Sequence, residues 1–265
     1  MSVLRSVIFV FLLIMGLTFS DKSILAQENQ QPVASVHEQE EEGKPLNEVI
    51  GYRDDLFGVN CVWRDYIWVV GYWGAIFHSK TAGETWHRQE SGTDEALFGV
   101  SSLDKDYGWV VGDNGIILHT VNGGKKWEPQ NSGTKEPLFR VKFIDQEHGW
   151  ASGQFGTILY TDNGGQQWQD RSIGKVSVFQ EEEKAYKEVN FYGLCSLDRE
   201  VWVVGEFGRI FHTANEGKEW ELQETGMSKT LFDVHFEHFN EITLGYAVGI
   251  DGIILHTRDR GKTWY

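Results

Sequence analysis

Short apolar runs separated by Gly, Asp and Asn set the rhythm of the chain. In one stretch LFGVSSL (97–103) is followed by the polar break DKDYG, then WVVG (109–112), the break DNG, IILHT (116–120) and VNGGKK, which leads into Trp127. Runs of four to seven residues bounded by turn formers read as β-strands joined by hairpins. The same order returns as LFGVNCV/IWVVG/AIFHS/TW, LFRVKFI/GWASG/TILYT/QW, NFYGLCSL/VWVVG/RIFHT/EW and LFDVHFE/GYAVG/IILHT/TW. Spacings of 41, 41, 52 and 44 residues separate Trp86, Trp127, Trp168, Trp220 and Trp264. A period near 40–45 with several strands per unit points to propeller blades, because one such sheet cannot bury both its faces alone. The predicted fold is all-β: a β-propeller of five four-stranded blades, with repeats at about 56–96, 97–137, 138–189, 190–230 and 231–265.

Between the third and fourth strands each repeat carries one nine-residue turn: HSKTAGETW, HTVNGGKKW, YTDNGGQQW, HTANEGKEW and HTRDRGKTW. The polar residues third from the Ser/Thr, Thr81, Asn122, Asn163, Asn215 and Asp259, can bond backbone N–H groups inside the turn. Gly83, Gly124, Gly165, Gly217 and Gly261 supply a conformation that a Cβ resists. Trp86, Trp127, Trp168, Trp220 and Trp264 cover it, so all fifteen are expected to be structural. This turn resembles the Asp box of bacterial-neuraminidase-type repeats. With GWVVG, QNSGT and LFxVxF around it, the chain from about 56 to 265 resembles the photosystem II stability/assembly factor family. That resemblance implies an exported propeller that chaperones a membrane-protein complex by binding a partner, without catalysis or cofactor. The family's photosynthetic members present an Arg-rich surface, whereas this chain has ten Arg in all.

Composition narrows the classes. Gly is abundant (30), Pro scarce (4) and Trp frequent (11) in 265 residues. A net charge of −15 argues against binding to nucleic-acid phosphates or an anionic membrane surface. Arg5 and the 13-residue apolar run from Val7 to Phe19 read as a secretory leader, since a membrane span takes about 20 residues. Cleavage is expected after Ala26, or else after Ser20, with export to the periplasm, a lumen or the exterior. Residues 27–45, with Glu38, Glu40, Glu41 and Glu42, are too poor in apolar side chains to fold and read as a disordered acidic tether. The segment 47–52 is expected to form the outer strand of the last blade and latch the ring; the competing view is a fragment of a larger ring.

Candidate chemistry is sparse. His78, His119, His212 and His256 recur at one blade position, with Tyr160 in blade three. Separate blades hold equivalent positions too far apart for the ~2.0–2.1 Å convergence of zinc ligands, so packing beside the turn is expected and no metal. Cys61 and Cys195 are read as equivalent residues of blades one and four, hence two free, buried thiols. A sialidase or glycan-binding propeller is the alternative, but the arginines recur at no one blade position. Blades differ at the turns between strands two and three, where Trp73, Phe155 and Phe207 are candidate partner-binding aromatics on one rim. The other reading folds them back onto neighbouring blades. Arg140, Glu182 and Tyr186 join them as candidates, the last two from a long connection whose 180–189 stretch is charged and helix-tolerant. A monomer that binds a protein is expected.

Overall fold

The structure is a computed structural model describing residues 43–50, 55–174, 176–180, 183–240 and 242–265, and only the backbone at 46, 47, 176–180 and 183–187. The expected leader and most of the tether lie outside the described residues.

Five antiparallel blades follow in sequence order. Blade one consists of Leu56–Val62, Tyr66–Gly71, Ile76–Ser79 and His87–Gln89, and blade two of Leu97–Ser102, Gly108–Gly112, Ile117–Thr120 and Glu128–Gln130. Blade three has Leu138–Phe143, Gly149–Gly153, Ile158–Thr161 and Gln169–Asp170; blade four has Phe191–Leu197, Glu200–Gly205, Ile210–Thr213 and Glu221–Gln223. In each, spatial order equals sequence order. Blade five has three strands, Leu231–Phe239, Ile242–Gly249 and Ile254–Thr257, and Tyr265 exchanges two backbone hydrogen bonds with His256 where a fourth would start. The first strands of consecutive blades lie side by side, which puts them around the axis.

The core is made of junctions between blades. Trp68, Val70 and Ile76 of blade one pack against Leu97, Val100 and Leu118 of blade two, and the same sets recur at the next three boundaries. The alternating pattern of each strand therefore serves two neighbours, one per face, as the period-2 pleat requires. Trp68, Trp109 and Trp202 are fully buried.

Two expectations are corrected. The described part of the segment 47–52, residues 47–50, does not form the outer strand of the last blade, and 51–52 lie outside the described residues. Leu46–Val49 is a one-turn helix, Lys44 pairs with Trp86, and Val49 and Ile50 pack against Ala75, Phe77 and Trp86 of blade one. Adjacent apolar residues suit one face of a helical turn better than an alternating strand. In the long connection, the helix-tolerant stretch is instead a hairpin, Val176–Gln180 paired with Glu183–Lys187.

Candidate functional site

The five repeated turns are held by hydrogen bonds to their own side chains. Thr120 Oγ1 accepts the Gly124 N–H at 2.9 Å and Asn122 Oδ1 accepts the Lys126 N–H at 3.1 Å. Asn163, Asn215 and Asp259 repeat the second bond at 2.9–3.0 Å, and Thr81 makes it through its hydroxyl at 2.8 Å. Three of the turns are also clasped by a glutamine of the blade before. Gln89 donates to the Gly123 carbonyl and accepts from the Trp127 indole; Gln130 does the same for Gly164 and Trp168, and Gln223 for Arg260 and Trp264.

Three of the four recurrent histidines stack on the second-strand tryptophans: His78 on Trp68 at 4.1 Å, His119 on Trp109 at 4.5 Å and His212 on Trp202 at 4.7 Å, with Tyr160 beside Trp150, whereas His256 lies opposite Tyr246. Burial pushes the His119 imidazole below its ordinary pKa despite nearby Glu128. Among the described residues no cluster of three or more metal-ligating groups exists.

The cysteines are both free, but they are not equivalent and only one is buried. Cys61 lies opposite Ile67 and is exposed, whereas Cys195 lies opposite Trp202, the counterpart of Trp68. The hairpin of blade four is tighter, turning through Asp198 and Arg199 with both φ positive, so counting back from WVVG slips by one residue and one face. Cys195 takes the place of Asn60: its Sγ accepts the Phe236 N–H at 3.3 Å, as Asn60 Oδ1 accepts that of Ser102 at 3.0 Å. Burial pushes this thiol up.

What distinguishes the blades lies at the end where first strands begin. There Leu97 pairs with Gly112, directly before the turn Asp113–Gly115. Trp73, Phe155 and Phe207 all sit in these turns with φ of 54–58°, at positions filled by Asn114 and Asp251 in blades two and five. Trp73 and Phe155 are 55% and 49% exposed, while Phe207 is half-buried against the junction of blades three and four. So two of the three stand out and one folds back. Glu182 lies outside the described residues. Tyr186 is in the hairpin, its backbone paired with Ser177.

Arg140 leads to a feature that the sequence reading passed over. Each first strand carries an irregularity at its second residue: Leu97 pairs with Gly112 but Gly99 with Val111, leaving Phe98 as the extra residue. The same bulge falls at Phe57, Phe139, Tyr192 and Phe232. A bulge re-aims the side chain it carries. Here it strings five aromatic rings into one arc, with centroid spacings of 5.5, 5.8, 5.4 and 5.8 Å from Phe57 to Phe232. Tyr72 closes one end, edge-on to Phe57 at 4.7 Å. The arc and Arg140 line a concave site of about 220 Å³. The visible signal was the LF pair that opens four repeats, with FY in blade four.

Comparison with known proteins places the chain. The model of the family described as Photosynthesis system II assembly factor YCF48 matches residues 49–137 and 129–227. The chain belongs to this family. Among solved structures it is similar to YCF48 bound to D1 peptide, at 19% identity and a TM-score of 0.59 over 80% of this chain and 68% of that one. It is also similar to the WD40 β-propeller domain of Doa1 (12% identity, TM-score 0.58, 81% and 69% covered). A GH74 xyloglucanase from Xanthomonas campestris gives 11% identity and a TM-score of 0.58, over 80% of this chain and 38% of the enzyme. At such identities these likenesses show the propeller fold alone. None of the curated proteins compared matches the chain.

Proposed function

We propose that the protein is an exported, non-catalytic scaffold that docks a protein of a membrane-associated complex during its assembly, using the end of the propeller where the first strands begin. The carrying observation is the concentration of exposed aromatic side chains there: Trp73, Phe155 and the arc from Phe57 to Phe232. Exposed apolar patches rimmed by polar residues mark partner sites. Membership of an assembly-factor family supports the reading, as does a solved member of it that binds a peptide. Against a sialidase, two concave sites hold one arginine each, Arg171 and Arg140. Arg171 is taken up by the Glu216 carbonyl and Gln169, so it has little to offer a substrate carboxylate. No described helix is long and apolar enough to cross a membrane; export rests on the apolar run from Val7 to Phe19.

The test is cross-linking in cells followed by co-purification and mass spectrometry. Wild-type protein should capture proteins of one membrane complex from the envelope fraction, and the Trp73→Ala/Phe155→Ala variant should lose most of that capture at an unchanged melting temperature. Turnover of a fluorogenic sialoside or of xyloglucan by the purified protein would refute the non-catalytic reading.

A further inference from the structure

We propose that the aromatic arc and Arg140 form a subsite for an extended peptide segment in which an Asp or Glu side chain is flanked by apolar or aromatic residues. This rests on the protein-docking reading above and names the chemistry of the docked segment.

Repetition and exposure carry the argument. One bulged aromatic per blade, five in succession, makes a continuous π-surface, and its rings are not buried. Phe57 and Phe232 at the two ends are 41% and 45% exposed, while Phe98, Phe139 and Tyr192 are partly exposed. Rings packing only on each other for stability would not need a bulge in every blade to turn them out of the ladder. The site of about 220 Å³ is smaller than the ~300–1,000 Å³ typical of small-molecule pockets, and it suits one or two side chains of a longer ligand. Ring spacings of 5.4–5.8 Å lie close to the step of about 6.6 Å between same-side residues of an extended chain.

Charge fixes the ligand's polarity. Arg140 is the cationic group among the residues lining the site. Its Nη1 donates to the Phe139 carbonyl at 3.2 Å, and it forms no ion pair among the described residues. Arg260, by contrast, is paired with both Asp198 and Glu200. The positions matching Arg140 are Gly58, Gly99, Gly193 and Asp233. Three blades thus have no side chain there, and Asp233 spends Oδ1 on the Val234 N–H at 3.0 Å. The cation at this position sits in blade three, where Phe139 and Tyr192 line the same site. A guanidinium with free donors beside aromatic faces takes a carboxylate next to apolar side chains.

Fluorescence anisotropy on the full chain tests this with a labelled, C-terminally amidated octapeptide, Ser-Gly-Phe-Glu-Leu-Phe-Gly-Ser, and its Glu-to-Gln counterpart. The wild type should prefer the Glu peptide by about tenfold, the size of one charge-assisted hydrogen bond. Arg140→Gln should erase that preference, weakening the Glu peptide about tenfold and the Gln peptide by less than twofold. Phe57→Ala/Phe232→Ala should weaken both peptides, and Phe139→Leu, which keeps bulk in the arc, should do so if the double variant melts early. Equal binding of the two peptides, or affinity untouched by both Arg140→Gln and the arc variants, would overturn the proposal. So would tighter binding of a peptide whose only carboxylate is its C-terminus, or arc-dependent binding of xyloglucan heptasaccharide in place of peptide. Partner capture that persists while neither peptide binds would sink this subsite and leave the scaffold standing. If the wild type captures no partner, it is the scaffold reading that falls.

Discussion

Gly83 and Gly124 hold the same place in two repeated turns, yet a methyl group at each meets different surroundings. Both have positive φ, +89° and +77°. At Gly83 the nearest atoms stand at 3.6 and 3.7 Å; at Gly124 the Gln89 amide from the preceding blade lies at 2.0–2.4 Å. Gly83→Ala should therefore cost about 1 kcal/mol, the left-handed backbone penalty. Gly124→Ala should cost ~2–4 kcal/mol, adding the displacement of a clasping side chain. Urea unfolding of the two variants decides it, and equal losses would show that the Gln clasp contributes nothing. The hydroxyl and amide positions of the turns were legible because the backbone bonds they cap are local, within four residues. The clasp was not, since Gln89 reaches 34 residues ahead. The cysteines failed for a related reason: one residue fewer in a hairpin exchanges buried for exposed, and spacing alone hides it.

At the scale of elements, one turn is written differently from the rest. Asp259 replaces the amide or hydroxyl of the other four, and its carboxylate accepts from the Thr263 hydroxyl at 2.5 Å, the Thr263 N–H at 2.9 Å and the Thr257 hydroxyl at 2.7 Å. The Thr263 side-chain bond first, then the backbone bond and Thr257, hold the carboxyl down at about 2, against an ordinary 3.8. A depressed folded-state pKa means that the stabilisation is complete above the unfolded value and fades as pH falls from there through the folded one. Melting temperature should consequently drop between pH 4 and about 2 by more in the wild type than in Asp259→Asn, and the two should nearly coincide above pH 5. Identical acid limbs would remove Asp259 from the cause. Strand identity was legible throughout from alternation and turn residues. The bulges were not: the LF pair is plain in the sequence, but that its Phe is the extra residue depends on pairing with Gly112 and Val111. That is why the arc escaped notice while Trp73 and Phe155, placed in their turns by the strands on either side, did not.

Among the described residues the blades make a run of four equivalent junctions, and the outer faces of blades one and five meet no further blade. The repeat count and blade architecture were legible from period alone, but ring closure was not, because it depends on what covers the first and last sheets. Blade one is partly covered by Val49 and Ile50. Blade five shows to solvent the face that every other blade buries: Tyr246, Val248 and Ile254 are 42%, 42% and 70% exposed, whereas the matching Trp109, Val111 and Ile117 are at 0%, 0% and 1%. The facing positions of blade one, Leu56 and Val59, are likewise 36% and 67% exposed. A matched pair of truncations therefore reports on the arrangement in solution. Ile117→Ala should cost ~2–5 kcal/mol, as for a buried aliphatic side chain emptied into a cavity. Ile254→Ala should stay within about 0.5 kcal/mol, the usual range of a surface change. Both occupy the start of a third strand, opposite Val111 and Val248 respectively, so strand propensity cancels in the comparison. A cost at Ile254 approaching that at Ile117 would mean that blade five closes on another surface in solution. Concentration dependence then tells which: a loss that grows on dilution assigns the cover to a second molecule, and one that does not assigns it to blade one of the same chain.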